Sequence, residues 1–214
     1  MTYPEPSRRV GQVLSTGRQW CFHERVTAAF PGPWRRLDSD VVHTTPWFVV
    51  RRDAVVRPDG APDVYQHVIA PGGVTVLAIG ADDLVAMTRQ WIYTHGSTQW
   101  RLPGGGIDAG DADPLSAARR ELAEETGLRA AEWAELGRIH GADSLSNHVD
   151  HIFLATGLTQ GVADPGGGEV DLALSWLPFD EAVALVTGGH VPHAGSAYAL
   201  LLLAVERVRN AGQA

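Results

Sequence analysis

Residues 103–128 place a glycine-rich turn directly before a helix, and this stretch constrains the fold more than any other part of the chain. The spacing predicts a helix with Asp113 as its N-cap and Pro114 at its first position, ended by Gly127. Leu115, Ala118 and Leu122 fall at i, i+3 and i+7, so one stripe of this helix is apolar. The chain therefore has to bury this stripe against another element.

Another face of the same helix carries three carboxylates. Glu121, Glu124 and Glu125 fall at i, i+3 and i+4, and like charges at this spacing destabilise a helix by roughly 0.2–0.5 kcal/mol per pair. Two interpretations are open. The face is either a solvated acidic surface partly neutralised by Arg119 and Arg120, or an all-oxygen site for a hard divalent cation.

The stretch resembles the Nudix box, G-x5-E-x7-R-E-U-x-E-E-x-G-U, in which U is a bulky aliphatic residue. Gly105 matches the first glycine, and residues 120–128 match the second half without a substitution. The sequence departs where Asp111 stands at the first glutamate position and where one extra residue separates it from Arg120. That extra residue falls before the helix, where loops absorb length changes. The similarity to Nudix hydrolases extends over about residues 70–190.

The resemblance implies a metal-dependent hydrolytic site. Mg²⁺ is the expected cofactor, with Mn²⁺ as the alternative, because a divalent metal neutralises the charge of a pyrophosphate and lowers the pKa of bound water. Glu121 and Glu125 are the first-choice ligands, completed by Glu124 and the carbonyl of Gly104. Glu124 and Arg120 are expected catalytic residues, with Arg120 orienting the glutamates, and Asp111 is expected to hold the loop through Arg120.

Outside the box, the chain has an N-terminal hairpin with a turn at 58–60, a strand at 73–77, Arg89 followed by Gln90, and the segment 100–106. In this arrangement it resembles the ADP-ribose pyrophosphatase branch of the family. In that branch a glutamate on a loop after the strand equivalent to residues 148–158 often activates water. This implies Glu169 as the general base, with Asp171 as the alternative. Relatives usually carry an arginine where this chain has Ile92, and often a glutamate where it has Arg101. Both departures weigh against ADP-ribose itself as the substrate.

Three residues are candidates for substrate binding: Arg51, Arg89 and Gly105. For the two arginines the alternative is an ordinary surface charge. The resemblance implies a small nucleoside diphosphate derivative as the partner and a homodimer built through the N-terminal sheet. His148 and Asp150 also suggest a metal site, but on a strand they face away from His151.

The first functional hypothesis is a Mg²⁺-dependent hydrolase that cleaves the pyrophosphate bond of ADP-ribose or a nucleotide sugar, giving a nucleoside monophosphate and a phosphorylated remainder. The enzyme alternative is a nucleoside-triphosphate pyrophosphohydrolase that cleanses nucleotide pools. The non-enzyme alternative is a ligand sensor that kept the fold and lost catalysis. The complete set of three glutamates argues against the sensor.

The composition limits which binding partners and which cellular location are expected for the protein. The net charge is −8 without a basic run, which argues against nucleic acid and anionic membranes as partners. Cys21 is alone, so neither an intrachain disulfide nor a cysteine-rich zinc site is expected. No apolar run resembles a signal peptide or a membrane span, and the expected location is cytoplasmic.

The predicted fold class is α+β: an α/β/α sandwich with a mixed sheet, preceded by an N-terminal antiparallel hairpin or sheet. The predicted units are an extension over 1–35, the N-terminal hairpin over 36–70 and the hydrolase domain over 71–214. Residues 10–30 have roughly helical spacing of aromatic residues, which leaves a helix and a loosely ordered arm open. Strands at 47–56 and 64–69 are expected to pair, as are strands at 74–80 and 84–91. Further strands are predicted at 98–102, 133–140, 148–158 and 172–177, and helices at 179–186 and 197–208.

Overall fold

The computed structural model describes residues 32–164 and 171–212, and these residues form three sheets and three helices. The predicted extension over 1–35 lies almost entirely outside the described residues, as does the glycine-rich segment 165–170. The strands are β1 (Arg35–Thr44), β2 (Val49–Val56), β3 (Pro62–Ile69), β4 (Gly73–Ala78), β5 (Leu84–Ile92), β6 (Ser97–Arg101), β7 (Gly104–Gly106), β8 (Leu128–Ile139), β9 (Asp150–Gln160) and β10 (Ala173–Pro178). The helices are α1 (Pro114–Thr126), α2 (Phe179–Thr187) and α3 (Ala194–Ala211).

The central layer is a mixed sheet with the strand order β7-β4-β9-β8. Strands β4 and β9 run parallel, and the outer pairs are antiparallel. All six residues of β4 are buried, as expected for a strand covered on both faces.

Helices cover the two faces of the mixed sheet. On one face the apolar stripe of α1 packs Ala118 and Leu122 against Val76 of β4. On the other face Leu200 of α3 packs with Leu77 of β4. The predicted α/β/α sandwich is therefore confirmed.

A second sheet with the order β10-β5-β6 carries the chain into the glycine-rich stretch, because β6 ends directly before it. The strands expected at 74–80 and 84–91 are present, but the predicted pairing between them is wrong. Only one bridge, between Ile79 and Val85, links them. Both edges of β4 are already occupied by β7 and β9, so β5 pairs with β6 and β10 instead.

The N-terminal sheet has the order β1-β2-β3 and is antiparallel throughout. The hairpin of β2 and β3 was predicted, with its turn at Gly60. Strand β1 was not predicted, because its sequence RRLDSDVVHT lacks a regular apolar alternation and eight of its ten residues are exposed.

The glycine-rich stretch is not wholly a turn, since its residues 104–106 form β7 against β4. Gly104 has φ = +156° there, and a side chain on it would collide with the carbonyl oxygen of Val74. Among the described residues, no helix is both long and apolar enough to span a membrane.

Candidate active site

Helix α1 has the ends that the sequence predicts. The Asp113 carboxylate accepts a hydrogen bond from the backbone N–H of Ser116 at 2.7 Å, and the Ser116 hydroxyl accepts one from the N–H of Asp113 at 3.0 Å. This reciprocal pair satisfies two N–H groups at the helix start. At the other end Gly127 adopts φ = +73°, which ends the helix in a left-handed conformation.

Two of the three glutamates on α1 are buried against β7. Glu121 is 8% exposed and Glu125 is 6% exposed, whereas the side chain of Glu124 is 46% exposed. The backbone N–H of Gly104 donates to Oε2 of Glu125 at 3.0 Å. A Cβ on Gly105 would lie 2.6 Å from the carboxylate carbon of Glu121, so a side chain there would displace this carboxylate.

Arg120 connects the acidic residues to one another. Its Nε and Nη2 donate to the two carboxylate oxygens of Asp111, at 3.1 and 2.9 Å. Its Nη1 donates to Glu121 at 2.8 Å and to Glu124 at 3.0 Å. Its Nη2 also donates to the carbonyl oxygen of Gly106 at 2.8 Å. The hydrogen bond to Asp111, and then the charges and hydrogen bonds of the glutamates, raise the pKa of Arg120, so the guanidinium stays charged.

We name Asp111, Arg120, Glu121, Glu124 and Glu125 the acidic cluster. Four carboxylates against one guanidinium leave a formal excess of three negative charges, and two of these carboxylates are buried glutamates. Within residues 32–164 and 171–212, no three His, Cys, Asp or Glu side chains are already grouped in the arrangement of a metal site. Arg120 Nη1 instead bridges Glu121 and Glu124. The side-chain donors of the cluster are hard carboxylate oxygens, so their chemistry fits Mg²⁺ or Mn²⁺.

The structure brings together six of the predicted site residues and places others elsewhere. Gly104, Gly105, Arg120, Glu121, Glu124 and Glu125 lie in contact as described. Arg51 lies on β2, where its Nη1 donates to the hydroxyl of Ser39 at 3.1 Å. Arg89 lies on β5 with its guanidinium 5.7 Å from the centre of the Trp100 ring.

Of the two residues proposed as general base, only the alternative is described. Glu169 lies outside the described residues. Asp171 accepts a hydrogen bond from the backbone N–H of Trp91 at 2.8 Å, which ties it to the end of β5.

A buried polar cluster beside the glycine strand was not identified from the sequence. The hydroxyl of Thr75 on β4 donates to Asp150 at the start of β9 at 2.8 Å, and burial raises the pKa of Asp150. On α3, the Ser196 hydroxyl accepts from the backbone N–H of Leu102 at 2.8 Å. His193, which caps α3, has its pKa lowered to about 4, first by burial and then by the nearby charges of Arg101 and His148. The partners in these contacts are 75 and 94 residues apart in the chain, so no local pattern signals them.

The two histidines of the segment 148–151 lie apart, because β9 begins at Asp150, so His148 precedes the strand and His151 lies on it. His148 contacts the carbonyl oxygen of Pro71 at 2.6 Å, while His151 lies 3.7 Å from Glu135. The segment therefore does not gather its side chains into one metal site.

Two regions of the chain match models of known protein families. Residues 70–200 match the family model described as NUDIX domain, and residues 34–68 match the one described as nucleoside diphosphate sugar hydrolase N-terminal domain. An ADP-ribose pyrophosphatase of Mycobacterium tuberculosis is 33% identical over 156 residues, covering 72% of this chain and 75% of the relative. A CMP-5'-(N-acetyl-N-hydroxy-3-aminopropyl)phosphonate hydrolase of Streptomyces rubellomurinus is 29% identical over 172 residues, covering 78% of this chain and 81% of the relative. The crystal structure of an ADP compounds hydrolase has the same fold, with a TM-score of 0.72 at 23% identity, covering 85% of this chain and 97% of that one.

Proposed function

Since the chain belongs to the Nudix family and is a hydrolase related to ADP-ribose pyrophosphatases, we propose that it cleaves the pyrophosphate bond of a nucleoside diphosphate linked to another group. The linked group is a ribose or another sugar, and the products are a nucleoside monophosphate and a phosphorylated remainder, which is the sugar carrying the second phosphate. The observation that carries this proposal is the acidic cluster, in which two buried glutamates face a strand of glycines.

Glu121 and Glu125 would hold the metal ion, with Glu124 and the carbonyl of Gly104 as further ligands. The chemistry of the donors supports this assignment, because carboxylate and carbonyl oxygens are the ligands that Mg²⁺ and Mn²⁺ prefer. When bound, the ion would neutralise pyrophosphate charge and lower the pKa of a bound water.

Arg120 acts within the site by orienting carboxylates. Its fork on Asp111 fixes the guanidinium, which then holds Glu121 and Glu124 by charge-assisted hydrogen bonds. We therefore assign to Asp111 the role of anchoring Arg120, as the sequence suggests. Arg120 therefore offsets the repulsion between Glu121 and Glu124.

The proposed general base is Glu169, with Asp171 as the alternative. One oxygen of Asp171 accepts a hydrogen bond from the backbone N–H of Trp91. Arg51, Arg89 and Gly105 remain the proposed substrate contacts, with the arginines binding phosphate or ribose oxygens.

The N-terminal sheet supports a nucleoside diphosphate derivative over a nucleoside triphosphate. Residues 34–68 match an N-terminal domain described for nucleoside diphosphate sugar hydrolases, and this region forms β1–β3. The relatives named above act, by their names, on ADP-ribose and on a CMP-linked phosphonate, so a nucleotide joined to a second group is the shared chemistry.

We also propose that residues 36–70 build a homodimer and that the enzyme works in the cytoplasm. Large apolar side chains are exposed on the N-terminal sheet and the loop after β1, which is unusual for a surface without a partner. They are Leu37, Val41, Val42, Trp47 and Val64. Sedimentation of the full chain and of a Val42→Lys variant tests this, since a stable dimer in both would exclude this surface.

Product analysis tests the proposed reaction. The protein would be incubated with Mg²⁺ and with ADP-ribose, nucleotide sugars, dinucleotides and triphosphates in turn. A nucleoside monophosphate from a diphosphate derivative supports the proposal, whereas turnover of triphosphates alone supports the alternative enzyme. Glu125→Gln should abolish turnover, with Glu206→Gln on the exposed face of α3 as the matched control. Full activity in Glu125→Gln would exclude the ligand assignment.

A further inference from the structure

The first turn of α3 holds the backbone that leads into the glycine strand. Ser196 is fully buried, and its hydroxyl oxygen accepts a hydrogen bond from the N–H of Leu102 at 2.8 Å. Pro103, which follows Leu102 in the chain, accepts a hydrogen bond at its carbonyl oxygen from the N–H of Val76 on β4 at 2.8 Å. The two residues before Gly104 are thus fixed by α3 on one side and by the central strand on the other.

His193 sets the direction of the Ser196 hydroxyl. Its Nδ1 lies 2.9 Å from the hydroxyl oxygen. Nδ1 is the acceptor of the backbone N–H of Ser196, so it is the unprotonated ring nitrogen and the Ser196 hydroxyl donates to it. The lowered pKa of His193 agrees with a neutral ring. The ring also accepts from the N–H of Ser196, at 3.4 Å, and so caps α3.

The same turn also packs against the strand that pairs with Gly104. Gly195 lies so close to β4 that a Cβ on it would be 2.5 Å from the Thr75 hydroxyl oxygen and would collide with the Asp150 carboxylate. Thr75 is the register partner of Gly104 in the β4–β7 pair. The start of α3 is therefore in contact with β4, the strand that pairs with Gly104, as well as with Leu102.

The position of Gly104 affects the acidic cluster through a backbone hydrogen bond. Its N–H donates to Oε2 of Glu125 at 3.0 Å. A shift in the backbone of residues 102–104 moves this N–H, and with it the carboxylate that it orients. Displacements of about 1 Å at such a site cost about a hundredfold in rate.

We infer that Ser196 and His193 are positioning residues for the metal-binding glutamates, acting through the backbone of Leu102 to Gly104. Neither residue touches the carboxylates. They fix the peptide N–H that orients Glu125 and the carbonyl of Gly104 that would serve as a further ligand. The inference rests on the proposed function, since it assigns these residues a task in the metal site proposed above.

The test measures direct binding of Mn²⁺ to the wild-type chain and to each variant by isothermal titration calorimetry, in the absence of substrate. Ser196→Ala removes the acceptor for Leu102 and is expected to weaken Mn²⁺ binding about tenfold, the usual effect of losing an outer-shell hydrogen bond. In hydrolysis, kcat should fall while KM for the substrate stays within about twofold. Leu203→Ala is the matched control, because Leu203 lies on the same helix and packs against the apolar core. It should lower the Tm and leave Mn²⁺ affinity within about twofold of the wild type.

A second pair of variants keeps the test decisive if Ser196→Ala does not fold. His193→Asn retains a capping side chain with an acceptor and should preserve Mn²⁺ affinity, whereas His193→Ala should weaken it. Wild-type affinity in both Ser196→Ala and His193→Ala would overturn the inference, as would an equal loss in Leu203→Ala. If the wild-type chain itself neither binds Mn²⁺ nor hydrolyses any substrate of the panel, the proposed function fails, which is a separate result.

Discussion

Replacing Gly105 with alanine tests whether the close approach of β7 to α1 is needed for activity. The added Cβ would lie 2.6 Å from the carboxylate carbon of Glu121 and 2.6–2.7 Å from its two oxygens. Ordinary contact begins at 3.4 Å, so the carboxylate has to move by about 0.8 Å. Glu121 is the flexible end of a side chain, so this movement is feasible, but it displaces the oxygen that Arg120 holds at 2.8 Å.

The expected result is a large loss of activity with a small loss of stability. A carboxylate displaced by this distance should lower kcat/KM by about ten- to a hundredfold. Weakening one charge-assisted hydrogen bond and crowding one side chain should lower the free energy of unfolding by about 1–2 kcal/mol. Steady-state hydrolysis and thermal unfolding, measured on the same preparations, give the two values.

Gly106→Ala is the matched control. It makes the same substitution one residue later, and a Cβ there meets nothing within 4 Å. Neither glycine has a positive φ, so alanine is compatible with both backbones, and only the space beside Glu121 differs. Gly106→Ala should keep wild-type activity. Full activity in Gly105→Ala, or an equal loss in both variants, would refute the assignment of Glu121 to the metal site.

Three further predictions concern Arg120, His193 and Leu122. Arg120→Lys loses the two-pronged bond to Asp111, so turnover should fall about tenfold or more, and unchanged kinetics would contradict its orienting role. The pKa of His193 is about 4 in the folded protein and about 6.5 in the unfolded chain. Because the unfolded chain takes up the proton first, the free energy of unfolding decreases as the pH falls from 6.5 to 4, by about 3 kcal/mol at most. Chemical denaturation across this range should show a smaller loss in His193→Asn than in the wild type, and parallel curves would refute the buried neutral state. Leu122→Ala, at a fully buried position of α1, should lower the free energy of unfolding by about 2–5 kcal/mol in denaturant titrations, whereas a loss below about 1 kcal/mol would contradict its core placement.

The acidic cluster shows which parts of a site can be predicted from a sequence. Helix spacing placed Glu121, Glu124 and Glu125 on one face, and the contact of Asp111 with Arg120 was predicted from their positions in the Nudix pattern. The burial of Glu121 and Glu125 was not predictable from spacing, because it depends on β7 packing against α1. The roles of these residues stay predictions until the variants are measured.

The two errors in the predicted fold also have physical causes. Strand β1 was missed because an edge strand with exposed polar residues has no apolar alternation to reveal it. The pairing of β4 with β5 was wrong because neighbouring strands often pair, whereas here β7 and β9 occupy both edges of β4.

The sequence by itself determined the family resemblance, the ends of α1 and the spacing of its carboxylates, since capping and helical periodicity depend on residues a few positions apart. Only the tertiary structure decided which strands pair and how the glycine strand is held. The hydrogen bond from Leu102 to Ser196 joins residues 94 positions apart, and its existence depends on how α3 packs against the sheets. Such a contact follows from the folded arrangement of whole elements, which local patterns of residues do not specify.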